Sequence, residues 1–456
     1  MNTNPRNSAK QPRVFLAGLL LLTSQQVFSL DAGVTDCDTL AANPYDTNKL
    51  SVGVKNNQID TTLAVPACQT AVSNNPSSAR LQYQYGRALD AKGDFVLAFT
   101  WYSKAAEQNY APAQDGLGIL YYYGDGTEKN WVKSFEWALK AANQNYAPGQ
   151  RNVGLSYRDG EGVDKNIEKA FEWFLKAANQ NFADAQVDVG YAYQYGEGIA
   201  KNPNKAFEYY LNAANQNDDY GQYNVGNAYF DGIGVSKDDA KAFDSYLKSA
   251  NQNNSLGQNS VGFMYEYGYG VTQNYAKAFE WYLKAANQNN VVAQDNLGLL
   301  YQNGQGVTKD LNKAFEWYQK ASTGGDPLGF LHVGAVYHNG LVGSKNEAKA
   351  LENWRKASDL GLVQASVELI FSWAEVFYPS AFSGFAQALP PVLPAPYDTL
   401  QYRHYTANGN NIYVAYNPDN QHILYLGPVS GNTILDLGVI APFLQQALAY
   451  EKTINP

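Results

Sequence analysis

The sequence predicts a mainly α fold: an α-solenoid of stacked helical hairpins over residues 79–362, followed by a small β-meander-plus-helix domain over 400–456. Two observations carry this expectation. Glycine recurs every 36 residues, at Gly118, Gly154, Gly190, Gly226, Gly262, Gly298 and Gly334, and tyrosine follows three residues after each, from Tyr121 to Tyr337. A fixed period of this size marks an array in which each unit is one supersecondary motif, too small to bury its apolar face alone. Within each copy, moreover, apolar and small residues fall at helical spacing in two separate runs. In the copy that opens at Val291, Ala293, Leu297, Gly298 and Tyr301 share one stripe, and Ala314, Phe315, Tyr318 and Ala321 share another.

The chain begins with a basic leader (Arg6, Lys10, Arg13), an apolar run over 14–22, and small residues at Val27 and Ser29. This reads as an export signal over 1–29. The alternative is an uncleaved anchor over 14–30. Nine apolar residues are far fewer than the roughly 20 that span a bilayer, so no integral span is expected once the signal is removed. Cleavage would remove three basic and no acidic residues, taking the formal charge from −9 to −12. A chain this acidic is a poor match for nucleic acid, which is held by clustered Lys and Arg. Its 45% hydrophobic and 16% charged residues are globular proportions.

Residues 30–78 form a cap that carries both cysteines of the chain, Cys37 and Cys68. In an oxidising compartment an isolated pair forms a disulfide, and closing a loop of about 30 residues contributes roughly 3 kcal/mol in the chain-entropy model. No further metal ligand lies near either cysteine.

Eight copies follow over 79–362. The first, at 79–110, is 32 residues long; its second half keeps the register, so the four missing residues belong to the turn. A G-x-G turn separates the helices of a copy, as at Gly304 and Gly306. An Asx residue opens the second helix in all seven full copies: Asn130, Asn166, Asn202, Asp238, Asn274, Asp310 and Asn346. Such side chains accept the orphan N–H groups of a first turn. Most copies end in Ala-Asn-Gln-Asn, and the last position is Asn109, Asn145, Asn181, Asn217, Asn253 and Asn289, then Gly325 and Gly361. Asn and Gly both tolerate the left-handed conformation, so this position is a helix C-terminal cap.

The pattern A-x-x-Q-x-x-[LV]-G-x-x-Y-x-x-G-x-G-V-x-x-[ND]-x-x-K-A-F-E-W-Y-x-K-A-A resembles the Sel-one-like repeat, a relative of the tetratricopeptide repeat. The resemblance implies a right-handed superhelix, first helices on the concave side, and a role as adaptor or partner-binding scaffold. The stretch around A-C-Q-T-A-V and R-L-Q-Y-Q-Y-G-R-A-L also resembles a cap that precedes such repeats in bacterial envelope proteins.

Positions that vary between copies are the candidates for partner contact. On the first helix, positions 5, 9 and 12 fall on one side and change freely: Asp115, Ile119, Tyr122; Arg151, Leu155, Arg158; Val187, Tyr191, Gln194; Tyr223, Asn227, Phe230; Asn259, Phe263, Glu266. Tyr122, Arg151, Arg158, Tyr191, Tyr223, Phe230 and Phe263 have the aromatic-plus-Arg make-up of binding hot spots and are the expected partner-binding residues. Packing within the array is the competing explanation.

Catalytic constellations are not evident. The G-x-G turns recur in nearly every copy and read as structure, not phosphate loops. Ser245 and Lys248 match the Ser-x-x-Lys of penicillin-recognising enzymes, but neither Ser-Asp-Asn nor Lys-Thr-Gly accompanies them. His332 and His338 are six apart, and His404 and His422 fall on separate expected strands, without metal-ligand spacing. No cofactor or metal is expected. Residues 363–389 suit capping helices, 390–399 a Pro-rich linker, and 400–405, 411–416 and 422–426 three strands before a helix at about 440–451. The expected function is an exported (periplasmic or secreted) scaffold for protein partners. The alternative is a cell-wall or β-lactam-acting enzyme or penicillin-binding protein.

Overall fold

The computed structural model describes residues 34–362 and the backbone of three strands between 401 and 428. The expected signal, capping helices, Pro-rich linker and terminal helix lie outside the described residues. The protein is a mainly helical solenoid of repeated hairpins, with eighteen α-helices among the described residues. The chain divides into two compact units, Met1–Gln252 and Asn253–Pro456.

The first unit opens with α1 (Asp36–Ala41) and α2 (Thr61–Asn74). Five hairpins follow: α3 (Ala79–Lys92) with α4 (Phe95–Glu107), α5 (Ala111–Tyr123) with α6 (Trp131–Asn143), α7 (Ala147–Asp159) with α8 (Ile167–Ala178), α9 (Ala183–Tyr195) with α10 (Pro203–Asn215), and α11 (Asp219–Asp231) with α12 (Asp239–Asn251). The second unit contains α13 (Ser255–Tyr267) with α14 (Tyr275–Ala286), α15 (Val291–Asn303) with α16 (Leu311–Thr323), and α17 (Pro327–Asn339) with α18 (Glu347–Asp359). Its three strands, β1 (Gln401–Ala407), β2 (Asn410–Tyr416) and β3 (Ile423–Pro428), pair antiparallel in the order β1-β2-β3.

Local chemistry explains where the helices start and stop. All seven Asx residues cap their second helices, each side chain accepting from the backbone N–H three residues on. The six Asn that follow the second helices have φ between 60° and 66°, and Gly325 and Gly361 take their place at 88°. That left-handed residue turns the chain into the next copy. The short first copy loses its residues from the turn, since only Gly93 and Asp94 separate α3 from α4.

Recurring residues are consumed in packing. The tyrosine at position 11 meets a phenylalanine of the preceding copy edge-on, as in Phe135–Tyr157 and Phe171–Tyr193 at 5.5 Å. A lysine from its own second helix covers its ring, as Lys169 covers Tyr157 at 5.2 Å. The Gln of Ala-Asn-Gln-Asn binds the Gln at position 4: Gln180 Nε2 donates to Gln150 Oε1 at 2.7 Å and to Asn145 Oδ1 at 3.2 Å. Gln144 and Gln288 repeat that pair of bonds. The carboxamides therefore form a ladder along the hairpin ends.

At the N-terminus, Cys37 and Cys68 form a disulfide, both fully buried. It ties α1 to α2 beside a loop over 42–53. Buried Arg87 pins both ends of that loop, donating to the Ala41 carbonyl at 2.7 Å and the Val54 carbonyl at 2.8 Å. Gly53 is required there, because a Cβ would lie 2.1 Å from Pro44 Cα.

Candidate binding face

The variable side of the first helices is not one uniform surface. Position 5 is a seam between copies. Arg151 Nε donates to Asp188 Oδ2 at 2.5 Å, and Asn152 Nδ2 donates to Asp115 Oδ1 at 2.7 Å. In the second unit, Asn296 meets Asn259 at 3.2 Å and His332 meets Asp295 at 2.7 Å. In every case position 5 of one copy pairs with position 6 of the next. Asp115 and Val187 are buried. The expectation that positions 5, 9 and 12 face water together is corrected at position 5, because stacking brings the next first helix over it. Arg151 is accordingly a part-buried, paired cation. Burial is the largest single influence and works against its charge, but Asp188, Asp184 and Asp218 together outweigh it and hold its pKa above the ordinary arginine value.

Positions 9 and 12 keep partial exposure. Tyr122 is half-buried, its ring 4.9 Å from Tyr123. Its pKa is raised by burial and then by a hydrogen bond to Glu161. Arg158 forms a two-pronged pair with Asp159, both bonds 2.8 Å. Tyr191 packs on Tyr195 at 4.4 Å, and Lys237 lies 5.0 Å from the Phe230 ring. Tyr223 is more enclosed, tilted against Tyr246 at 5.9 Å. In the second unit, Phe263 gathers with Tyr267 at 4.8 Å and Tyr269 at 5.8 Å. Tyr267 is 55% exposed, so this cluster is presented to solvent.

A cleft opens in the first unit between α5, α6 and α7. It encloses about 190 Å³ and is lined by Asp115, Gly118, Ile119, Tyr122, Ser134, Ala138, Arg151, Leu155 and neighbours. Burial pushes the Asp115 carboxyl up to about 7, against the lowering effects of Asn152 and Arg151. Sequence reasoning named Tyr122 and Arg151 but not Ala138, whose small side chain makes the cleft. The readable signal was its departure from the aromatic that seven copies carry at that position.

The 42–53 loop was also missed. Its tip lies along the N-terminal ends of α5, α7 and α9. Asn43 Nδ2 donates to the Tyr83 hydroxyl at 2.5 Å and the Tyr146 hydroxyl at 3.1 Å, and the Tyr110 hydroxyl donates to Asp46. The Tyr45 ring meets Phe182 edge-on at 4.8 Å. Tyr110, Tyr146 and Phe182 occupy the last position of successive copies, where later copies have the capping residues Asp218, Asn254, Asn290 and Asp326. The switch from aromatic to Asx was legible, but its meaning was not.

The set-aside motifs remain separate. Ser245 Oγ donates back to the Lys241 carbonyl at 2.8 Å, a local bond within α12. His332 contacts Asp295 and His338 contacts Glu347, in different places. Among the described residues, no group of three His, Cys, Asp or Glu is placed to hold a metal ion, and no helix is long and apolar enough to cross a membrane. The side chain of His404 and all of His422 fall outside the described residues.

The fold and this face define a helical-hairpin repeat protein. The Sel1 repeat model matches residues 79–110, 111–146, 147–182, 183–218, 219–254, 255–290, 291–326 and 331–362, and the chain belongs to the Sel1 repeat family. Sel1 repeat proteins are generally protein-interaction scaffolds. Among solved structures, a protective antigen of uropathogenic Escherichia coli that displays an SLR fold is similar at 30% identity and a TM-score of 0.51, over 68% of this chain and 67% of that one. A Sel1 repeat protein from Oxalobacter formigenes shares 33% identity with a TM-score of 0.49, over 53% of this chain and 96% of its own. Helicobacter pylori cysteine rich protein B shares 28% identity with a TM-score of 0.23, over 27% of this chain and 90% of its own. The comparison with curated proteins gives no match.

Proposed function

We propose that this protein is an exported scaffold that captures a protein partner on the first-helix side of its repeats. Tyr122, Arg158, Tyr191, Phe230 and Phe263 supply the contact, and the position-5 residues Arg151 and Tyr223 hold the face beneath it. One observation carries the reading. Recurring side chains are spent on holding copies together, whereas the varying rings at positions 9 and 12 keep part of their surface in water. Part-exposed aromatics beside paired arginines favour protein partners, and the formal charge of −9 disfavours nucleic acid. The basic leader with its apolar run and the buried Cys37–Cys68 disulfide support export to an oxidising compartment. On this reading the chain comprises a signal over 1–29, a cap over 30–78, repeats over 79–362, capping helices over 363–389, a linker over 390–399, and a small β-rich module with a terminal helix over 400–456.

The test is affinity capture with the chain from residue 30 onward, wild type against Phe230→Ser with Tyr191→Ser. The expected result is loss of capture with the melting temperature within about 2 °C of wild type. Undiminished capture, or a large fall in melting temperature, would refute a binding role for these rings. Covalent labelling by a penicillin analogue that disappears in Ser245→Ala would replace the scaffold reading with the enzymatic one.

A further inference from the structure

Position 28 of the repeat carries an aromatic residue in seven of the eight copies: Tyr102, Phe174, Tyr210, Tyr246, Tyr282, Tyr318 and Trp354. Each is at most 4% exposed. In all seven, the ring lies on the glycine of its partner helix, so closely that a Cβ there would stand 2.3 to 2.6 Å from a ring atom. The remaining copy, the second in the chain, has Ala138 at this place, and Ser134 where the others have alanine four residues earlier. Gly118 is retained although no ring presses on it; its nearest neighbours are the Ser134 carbonyl at 3.0 Å and the Ala138 nitrogen at 3.4 Å.

The surroundings have not collapsed into the gap. About 190 Å³ stays open between Gly118, Ala138, Ser134, Leu155 and Tyr122. An engineered cavity of about 150 Å³ is large enough to take up benzene. This one is reached from solvent past Ile119, 41% exposed, and Tyr123, 52% exposed.

We infer that the Ala138 cleft is a socket for an aromatic side chain, a phenol above all, presented by a protein partner. Seven copies of the same hairpin demonstrate what the position accommodates. In three of them the ring hydroxyl also donates to the side chain at position 12: Tyr210 to Gln194 at 2.8 Å, Tyr282 to Glu266 at 2.7 Å and Tyr318 to Gln302 at 3.1 Å. In the Ala138 copy, position 12 is Tyr122, which lines the cleft together with Glu161. Ser134 and the buried Asp115 place further polar groups on the wall, so a phenol is favoured over a plain hydrocarbon ring. The source of the ring rests on the scaffold reading above; the socket itself does not.

The experiment titrates 4-methylphenol, the tyrosine side chain, into the full chain by calorimetry, with Ala138→Tyr as the filled control. The expected result is saturable one-site binding to wild type, weakened at least tenfold in Ala138→Tyr, with that variant melting no lower than wild type. Toluene is expected to bind more weakly than 4-methylphenol. Absence of saturable binding, equal binding to Ala138→Tyr, or an Ala138→Tyr protein that fails to fold each overturns the socket. No partner is present in this titration, so its failure leaves the scaffold reading standing. Partner capture then tests the source of the ring. Capture reduced at least tenfold by Ala138→Tyr supports a partner side chain, and unchanged capture overturns that part.

Discussion

Removing or supplying one ring should change what its partner glycine tolerates. In α15, a Cβ on Gly298 would stand 2.3 Å from Tyr318 Cε1 and 2.5 Å from Cδ1, and Tyr318 is fully buried. Gly298→Ala gains about 0.8–1 kcal/mol of helix propensity but forces overpacking of roughly 1–3 kcal/mol or more. The net expectation is a loss of about 1–2 kcal/mol. In α5, Gly118→Ala meets no ring; its closest contact is the Ser134 backbone carbonyl at 3.0 Å, a tight contact that offsets part of the propensity gain. The expected effect lies within about 1 kcal/mol of zero, clearly smaller than the cost at Gly298. In an Ala138→Tyr background the ring arrives, and Gly118→Ala should become as costly as Gly298→Ala, a coupling of about 1–3 kcal/mol. Urea unfolding followed by far-ultraviolet circular dichroism reads the total. Amide exchange in α5 and α15 reads the local effect, which matters because a repeat array need not unfold in one step. Equal costs for the two single alanine variants, or no coupling in the double variant, would refute the ring-on-glycine account.

Two further outcomes are expected. Asp115 has a folded pKa raised from 3.8 to about 7, so the folded state holds a proton that the unfolded state releases, and stability falls as pH rises between those values. Asp115→Asn keeps an acceptor for Asn152; its advantage over wild type in melting temperature should widen from pH 4 to pH 7 and then level, with an upper bound of about 4 kcal/mol. A pH-independent gap would refute the assignment. Reducing the Cys37–Cys68 disulfide, whose cysteines are 31 residues apart, should cost about 3–4 kcal/mol and speed amide exchange in the 42–53 loop. Unchanged unfolding and exchange in dithiothreitol would show that Arg87 alone secures the cap.

Much of the scaffold was legible because its causes are short-range. An Asx side chain reaches a backbone N–H three residues on, so Asn130 and its six counterparts announce helix starts without reference to the rest of the chain. The Asn that follows six of the second helices announces a left-handed residue for the same reason, and Asn145 has φ 61°. Less of the binding face was legible. Variation alone placed Asp115 and Arg151 with the solvent-facing residues, whereas each pairs with a residue 37 positions further on. Those pairings exist only once one copy is laid on the next.

From the sequence alone follow the period, the two helices of each copy, their caps, and the assignment of the recurring tyrosines to scaffold, because each depends on identity and spacing within a copy or on its regular repetition. Tertiary structure decided the rest. It made position 5 a seam, laid the loop tip on Tyr110, Tyr146 and Phe182, and left the space beside Ala138 open. The physical reason is that a missing ring is visible as a letter, but whether its neighbours close over the gap depends on close packing among elements far apart in the chain.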